Sequence, residues 1–279
     1  MIEILFQLLF GYDGFIQEKQ LFKLLVAHTP IDMDSLRKEL QQDQRFISDK
    51  NNSWSIAPLE QFVKDQALED VNFIITDIET TGSIQGKDRI IDLAAQKIRA
   101  GEIVDSFEQL INPEQKISYT ISRITGISNE TVQNAPTIEE ILQKYTQFFD
   151  NGIFVAHNSD FDYRFIRAEQ DRLNIQPFKT PIDICTYRIA KKLLPNLKTC
   201  GISGLAKHFG YEMNGRHRAL PDVEATSFFF KHFTTQLEKL NISTLHHLIN
   251  FQKKLYSRKE LQKKLKNAQK KRTNQKRLQ

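Results

Sequence analysis

The pattern of apolar and polar residues near the start of the chain is mostly helical. Apolar side chains recur there with a helical period. This predicts helices at Ile2–Phe10, Gln17–Ala27 and Met33–Gln42. Two short runs around a polar turn then predict a hairpin of strands at Arg45–Ser48 and Ser53–Ala57. The first 60 residues are therefore expected to form a small module of their own.

The pattern changes to β-strands from residue 71 onward. The apolar run Phe73–Ile75 predicts a buried strand, and short links to the next two strands predict an antiparallel meander. Further strands are expected at Arg89–Ile98, Ser106–Ile111, Gly152–Ala156 and Pro181–Ile184. Helices are expected at Ile138–Phe149, Ser159–Asn174, Tyr187–Leu194, Ser203–Phe209 and Pro221–Leu240. The predicted fold class is α/β, with a mixed sheet flanked by helices.

These patterns divide the chain into four segments. They are a small module over 1–60, a linker over 61–70, an α/β domain over 71–240 and a basic tail over 241–279. The helices and hairpin of the first segment resemble a winged helix-turn-helix, in which the third helix reads DNA. The cations in that helix and directly after it are only Arg37, Lys38 and Arg45. Contact with DNA and docking on a protein are therefore both open.

Composition limits the setting in which the protein works. No apolar run reaches the length of a membrane span, and the apolar start lacks the basic leader and cleavage site of a signal peptide. Cys185 and Cys200 are the only cysteines, which fits a reducing cytoplasm and argues against a disulfide framework. We therefore expect a cytoplasmic protein without a membrane partner.

Positive charge is concentrated at the C-terminal end. Residues 253–279 contain 12 Lys and Arg against one Glu, a net charge of +11. Because the whole chain of 279 residues carries +5, the remaining residues carry −6. A basic tail on an acidic body is typical of a polyanion-binding protein, and nucleic acid is the expected partner. A solvated tail that only aids solubility is the alternative.

The candidate chemistry begins where the first strand of the α/β domain ends. Strand side chains alternate between faces, so Asp77 and Glu79 point to the same side, about 6.5–7 Å apart along the backbone. Two carboxylates on one face repel each other unless a cation lies between them. Their oxygens suit hard divalent cations such as Mg²⁺ or Mn²⁺. Asp-x-Glu occurs about once by chance in a chain of this length, so two solvated acids are the alternative.

Two further acidic motifs favour the metal site. Asp162 follows the fourth strand, and Asp222 lies at the start of the last long helix, with His217 on the loop before it. Four carboxylates at one edge of a sheet need roughly two divalent cations, which can clamp the attacking and leaving oxygens of a phosphoryl displacement. A neutral His beside them can take a proton from the attacking water. Together these residues predict a metal-dependent phosphodiesterase.

The three motifs resemble those of the DEDDh family of 3′–5′ exonucleases. They are DIETTG from Asp77, HNSDFD from His157 and His217-x4-Asp222. The stretches ISRITGIS from Ile121 and HRALPDVEAT from His217 are similar to the proofreading branch, the epsilon subunits of bacterial DNA polymerase III. This resemblance, over about Val71–Leu237, implies a ribonuclease-H-like fold with a five-stranded mixed sheet.

The resemblance also implies which residues hold the metals. Asp77 would bridge two Mg²⁺ or Mn²⁺ ions, with Glu79 and Asp222 completing one site. Asp162 would hold the second ion, and His217 would be the general base.

Two more residues would bind the substrate. Thr80 and neighbouring backbone groups would hold the terminal 3′-OH, and Phe161 would pack on the terminal nucleotide. A sibling class uses Tyr as its base at the position of Arg218, so the His class is favoured here. Pro221, where the family often has a polar residue, is a small departure that leaves the ligands in place.

The predicted function is a metal-dependent 3′–5′ exonuclease that releases mononucleotides from single-stranded DNA during proofreading or repair. A DNA polymerase subunit is a candidate partner. A ribonuclease that trims RNA 3′ ends is one alternative, since ribonucleases share this site. A catalytically silent winged-helix scaffold that binds nucleic acid is another, which the presence of all five catalytic positions disfavours.

Overall fold

The computed structural model describes residues 5–6, 9–10, 15–25, 31–213, 215 and 217–253. The chain forms two compact units, one containing residues 1–64 and 253–279 and the other Asp65–Gln252. Most of the first predicted helix lies outside the described residues, although Leu5, Phe6, Leu9 and Phe10 are helical and buried. The basic tail from residue 254 onward also lies outside them.

The described part of the first unit contains three strands and two helices with defined bounds. They are β1 (Ile16–Gln17), α1 (Glu18–Leu25), α2 (Met33–Gln42), β2 (Phe46–Ser48) and β3 (Ser53–Ile56). The strands form an antiparallel sheet in the order β1-β3-β2, so the predicted hairpin is present and gains a third strand. The side chain of Asp32 caps α2 by accepting a hydrogen bond from the Ser35 N–H at 2.8 Å.

Two of the cations in the first unit are used within it. Arg37 pairs with the buried Glu18 at 2.7 Å, and the Trp54 indole N–H donates to the same carboxylate at 3.2 Å. Arg45 is buried and pairs with Asp43 at 2.7 Å. These pairs leave less positive charge for DNA than the sequence alone suggests. The winged-helix assignment stays a prediction.

The second unit carries the remaining strands and helices. Its strands are β4 (Phe73–Thr80), β5 (Ile90–Arg99), β6 (Glu102–Leu110), β7 (Ile153–Ala156) and β8 (Asp183–Cys185). Its helices are α3 (Tyr119–Thr125), α4 (Asn129–Val132), α5 (Ile138–Phe149), α6 (Asp160–Leu173), α7 (Thr186–Leu193), α8 (Ile202–Phe209), α9 (Ala219–Lys239) and α10 (Leu245–Gln252).

The strands of this unit form one mixed sheet in the order β6-β5-β4-β7-β8. The first three strands are antiparallel neighbours, and β7 and β8 run parallel to β4. This confirms the ribonuclease-H-like fold with five strands and flanking helices. No described helix is both long and apolar enough to cross a membrane.

The central strand β4 is covered on both faces, and this decides where its acids point. Ile74 and Ile78 belong to the core shared with α5 and α6, and the Thr76 hydroxyl lies 2.6 Å from the Tyr145 hydroxyl. On the opposite face, the rings of Phe73 and Phe230 meet at 4.9 Å, which places α9 there. Asp77 and Glu79 share the face of Phe73 and so point toward the α9 layer.

The structure departs from the predicted elements in several places, and it adds the short helices α3 and α4, which the sequence did not predict. The third strand begins at Glu102 because Ala100 and Gly101 form the whole turn with positive φ angles of 49° and 78°. This edge strand is largely exposed and lacks the apolar alternation that would have marked it. Residues 245–252, predicted as part of the tail, form α10 and belong to the second unit.

Candidate active site

Asp77 and Glu79 lie at the carboxyl end of β4, half-buried and on one face. Burial raises the pKa of Asp77 well above its usual range, and the negative charges of Asp162, Asp222 and Glu79 add to this. Burial likewise raises the pKa of Glu79 to about 7, with the charges of Asp222 and Asp92 acting in the same direction. The two carboxylates are therefore crowded, as their spacing predicted.

Asp162 reaches the same place from the first turn of α6. One carboxylate oxygen accepts a hydrogen bond from the Ile78 backbone N–H at 3.2 Å, which fixes it directly against β4. Burial raises the pKa of Asp162 to about 8, although its backbone hydrogen bonds oppose the rise. The side chain is thus held beside the other acids in a setting that disfavours its negative charge.

The start of α6 is itself anchored by a buried network. The Ser159 hydroxyl donates to the Asp183 carboxylate, and Arg188 donates to the same carboxylate at 2.6 Å. Arg188 also lies 3.7 Å from Asp160, so that acid forms an ion pair and is a poor candidate for a metal ligand. This network sets the position from which Asp162 projects.

His217 and Asp222 complete the cluster from the start of α9. Asp222 lies in the first turn of the helix and is buried, whereas His217 is exposed on the preceding loop. One ligand atom each of Glu79, His217 and Asp222 lies within 4.8 Å of the others. The backbone of His217 has a φ of 57°, a left-handed conformation that costs about 1–3 kcal/mol for residues other than Gly.

An open cleft of about 290 Å³ joins these side chains. All five predicted catalytic residues line it. Phe161 lines it as well, with its ring 5.4 Å from that of Phe165. Thr80 is not among the described residues that line the cleft, and its hydroxyl donates to the Gly82 carbonyl at 2.5 Å. The structure thus brings Phe161 into the site and directs the Thr80 hydroxyl to its own loop.

The donor set fits a hard divalent cation. It consists of carboxylate oxygens from three chain segments and one imidazole nitrogen. Crowded carboxylates with raised pKa values are stabilised in their charged form when a cation lies among them. The raised pKa values of Asp77, Glu79 and Asp162 are therefore what a metal site would show without its metal.

Two residues beside the cleft were not identified from the sequence as part of the site. Asp92 is fully buried and accepts hydrogen bonds from the Arg218 Nε at 2.8 Å and the Ala219 backbone N–H at 3.2 Å. Arg218 also lies 3.9 Å from Glu108. The sequence signal for Asp92 was its position as a lone acid inside the apolar run of β5. A buried strand tolerates such an acid only when it is paired.

His157 lines the cleft but is engaged elsewhere. Its Nδ1 lies 2.9 Å from the Thr186 hydroxyl, and burial lowers its pKa to about 4. The ring is therefore neutral at physiological pH and is hydrogen-bonded to the start of α7.

A family model described as Exonuclease matches residues 74–230. The chain belongs to the exonuclease family. Its three motifs place it among the DEDDh 3′–5′ exonucleases, as the sequence predicted. Divalent metal dependence is a property of this exonuclease family, in agreement with the donor set.

A DNA polymerase III of the PolC type from Staphylococcus aureus is 36% identical to this exonuclease over 193 residues. The match covers 69% of the chain but only 13% of the polymerase. The chain therefore spans about an eighth of the length of that relative. The match supports the predicted likeness to the exonucleases of bacterial DNA polymerase III.

Two solved structures share the fold. Exonuclease X in complex with 5′ overhanging duplex DNA has a TM-score of 0.51 and 23% identity, covering 64% of this chain and 99% of its own. The nuclease domain of 3′hExo, a DEDDh family member bound to rAMP, has a TM-score of 0.52 and 19% identity, covering 59% and 92%. Both likenesses confirm the exonuclease architecture.

Proposed function

We propose that this exonuclease removes mononucleotides one at a time from the 3′ end of single-stranded DNA, with two divalent cations and His217 as general base. The observation that carries the proposal is the convergence of five side chains from β4, α6 and the start of α9 on one open cleft. The close approach of Glu79, His217 and Asp222 supports the grouping most directly.

The carboxylates would hold the cations. Asp77 is central because the charges of Asp162, Asp222 and Glu79 all act on it, so it is suited to bridge two ions. Glu79 and Asp222 would complete one ion's ligands and Asp162 the other's. Bound Mg²⁺ or Mn²⁺ would supply an activated water and neutralise charge on the scissile phosphate.

His217 would accept the proton of the attacking water on a ring nitrogen. Its exposed position on the loop before α9 leaves the ring accessible to solvent and substrate. Its nearness to Glu79 and Asp222 places the ring at the edge of the acidic cluster, where the attacking water would be held.

The terminal nucleotide would lie against Phe161. The half-buried ring is braced by Phe165, so it offers a fixed face for a base at low entropic cost. For Thr80 we propose that the backbone of its loop, rather than its hydroxyl, holds the 3′-OH, since the hydroxyl already donates to Gly82.

DNA is favoured over RNA as the substrate. The polymerase relative acts on DNA by name, and Exonuclease X is described in complex with DNA. The 3′hExo domain bound to rAMP supports an RNA 3′ end as the second candidate substrate. We further propose a DNA polymerase subunit as partner and a cytoplasmic setting. The segment 1–60 would contact DNA or protein, and the basic tail would contact nucleic acid.

A gel assay tests the proposal. One oligonucleotide sequence, as DNA and as RNA, would be labelled at either end and incubated with Mg²⁺, Mn²⁺ or EDTA. The proposal predicts stepwise shortening of 5′-labelled DNA and release of the label from 3′-labelled DNA, both abolished by EDTA. Faster shortening of RNA would assign a ribonuclease, and no turnover with any substrate would contradict the enzyme.

A further inference from the structure

The carboxylate of Asp92 holds the chain directly after His217. It accepts hydrogen bonds from the Arg218 side chain at 2.8 Å and from the Ala219 backbone N–H at 3.2 Å. We infer that Asp92 is a positioning residue that fixes the His217 loop, so that the general base stays beside Glu79 and Asp222. The inference rests on the proposed function.

Asp92 is suited to this task because it is itself immobile. It is 0% exposed and lies in β5, which is bonded to strands on both sides. Its partner across the ladder is Glu79, so the anchor of the loop and a ligand of the cleft are set by the same pair of strands. Any shift of Asp92 relative to Glu79 would require the sheet to deform.

The loop needs an anchor because its conformation is unfavourable. His217 has a left-handed backbone with a φ of 57° and an exposed side chain. Strained backbone of this kind persists only where neighbouring contacts determine it. Arg218 and Ala219 supply those contacts, one through its guanidinium and the other through its main chain, and both end on the same oxygen of Asp92.

Asp92 is not a group that touches the substrate. It is absent from the described residues that line the cleft, and it faces Arg218 rather than His217. Two other roles would use the same contacts. Asp92 could merely stabilise the start of α9, or it could act on the metals through Glu79. These roles differ in whether the effect of Asp92 depends on His217.

The test is a double-mutant cycle between Asp92→Asn and His217→Ala, measured as single-turnover release of the 3′ nucleotide. We expect Asp92→Asn alone to lower the rate about 10- to 100-fold, as misplacement of a catalytic group does, with little change in KM. Both rates would be measured at saturating Mn²⁺, so that a change in metal affinity at Glu79 does not enter the comparison. In the His217→Ala background, the same substitution should lower the residual rate less than twofold.

Equal losses in both backgrounds, or a loss explained by the unfolded fraction, would overturn the inference. Full activity of Asp92→Asn would do so too. Activity of His217→Ala at the wild-type rate would instead contradict the proposed function itself.

If Asp92→Asn fails to fold, Arg218→Gln removes the same hydrogen bond from its half-buried partner and should show the same pattern. Glu108→Gln, which removes the more distant 3.9 Å partner of Arg218, is the matched control and should retain the wild-type rate.

Discussion

Glu79 and Asp92 are direct cross-strand partners in β4 and β5, with both carboxylates on the same face of the sheet. Like charges in this arrangement repel, and the charge of Asp92 contributes to the raised pKa of Glu79 after burial and Asp222. Arg218 opposes this effect, since it pairs with Asp92 and lowers the pKa of Glu79. One acid thus faces the cleft, while the other binds the loop that bears the proposed general base, His217.

Removing the proposed general base should slow the chemistry strongly while leaving the fold intact. His217→Ala should lower the single-turnover rate by about 10²- to 10⁴-fold, the usual contribution of general-base catalysis. Because His217 is exposed, its thermal unfolding midpoint should change little. His208→Ala, an exposed histidine on α8, is the control and should cleave at the wild-type rate. Normal activity of His217→Ala would assign the proton transfer to another group.

The contribution of Glu79 and Asp162 to the stability of the metal-free protein should fall as the pH rises from about 4 to about 8. Burial and crowding raise the pKa of Glu79 to about 7 and of Asp162 to about 8. Both groups ionise near pH 4 in the unfolded chain. Between these values the folded state holds protons that the unfolded state has released, so the free energy of unfolding decreases with pH. Thermal unfolding in EDTA checks this. If the contribution of these two acids to the free energy of unfolding grew with pH, the raised pKa values of the cluster would be contradicted.

Metal should reverse that loss. In the proposed site, Mn²⁺ would bind the ionised carboxylates of the folded protein, so it should raise the unfolding midpoint more at pH 8 than at pH 5. Asp162→Asn removes a crowded charge and keeps an acceptor for the Ile78 N–H. It should stabilise the metal-free protein at pH 8 by on the order of 1–3 kcal/mol and abolish activity. Asp160→Asn changes an acid outside the cluster, so it should neither stabilise the metal-free protein nor lower its activity.

Phe161 should matter for substrate affinity more than for chemistry. Stacking of one base is worth about 1–3 kcal/mol, so Phe161→Ala should raise the KM for single-stranded DNA roughly 5- to 100-fold. Phe161→Leu keeps the contact with Phe165 but removes the aromatic face, and it should show most of this loss. An unchanged KM in the Leu variant would mean that Phe161 serves packing alone.

The basic tail should set the salt dependence of binding. A chain ending at Lys253 loses 11 Lys and Arg, so it should bind single-stranded DNA more weakly and with a shallower slope of log affinity against log salt. Fluorescence anisotropy over a salt series measures the slope. A slope equal to that of the full chain would show that the tail contacts something other than nucleic acid.

The sequence predicted the sheet and the five candidate catalytic residues because those residues carry local signals. Asp77 and Glu79 end an apolar strand, Asp162 opens a helix, and His217 and Asp222 flank another helix start. The positions of the four acids at strand ends and helix starts placed them at one edge of the sheet, and the family resemblance then gave each residue its role.

The anchoring role of Asp92 could not be predicted in the same way. Its bond to Arg218 joins residues 126 apart in the chain, and no local pattern encodes such a pairing. The hydrogen bond from the Thr80 hydroxyl to the Gly82 carbonyl depends on the turn at Gly82. Strand periodicity does not predict the conformation of that turn. The early start of β6 was missed because an exposed edge strand carries no apolar alternation.

The most direct test of the metal-dependent exonuclease site is the single-turnover rate of 3′-nucleotide release by Asp77→Asn compared with wild type in Mn²⁺. Asp77 is the acid on which the other cluster charges act. We predict a loss of at least about 10³-fold, since metal catalysis supplies most of the rate. A rate within a few-fold of wild type, with the variant folded, would contradict it.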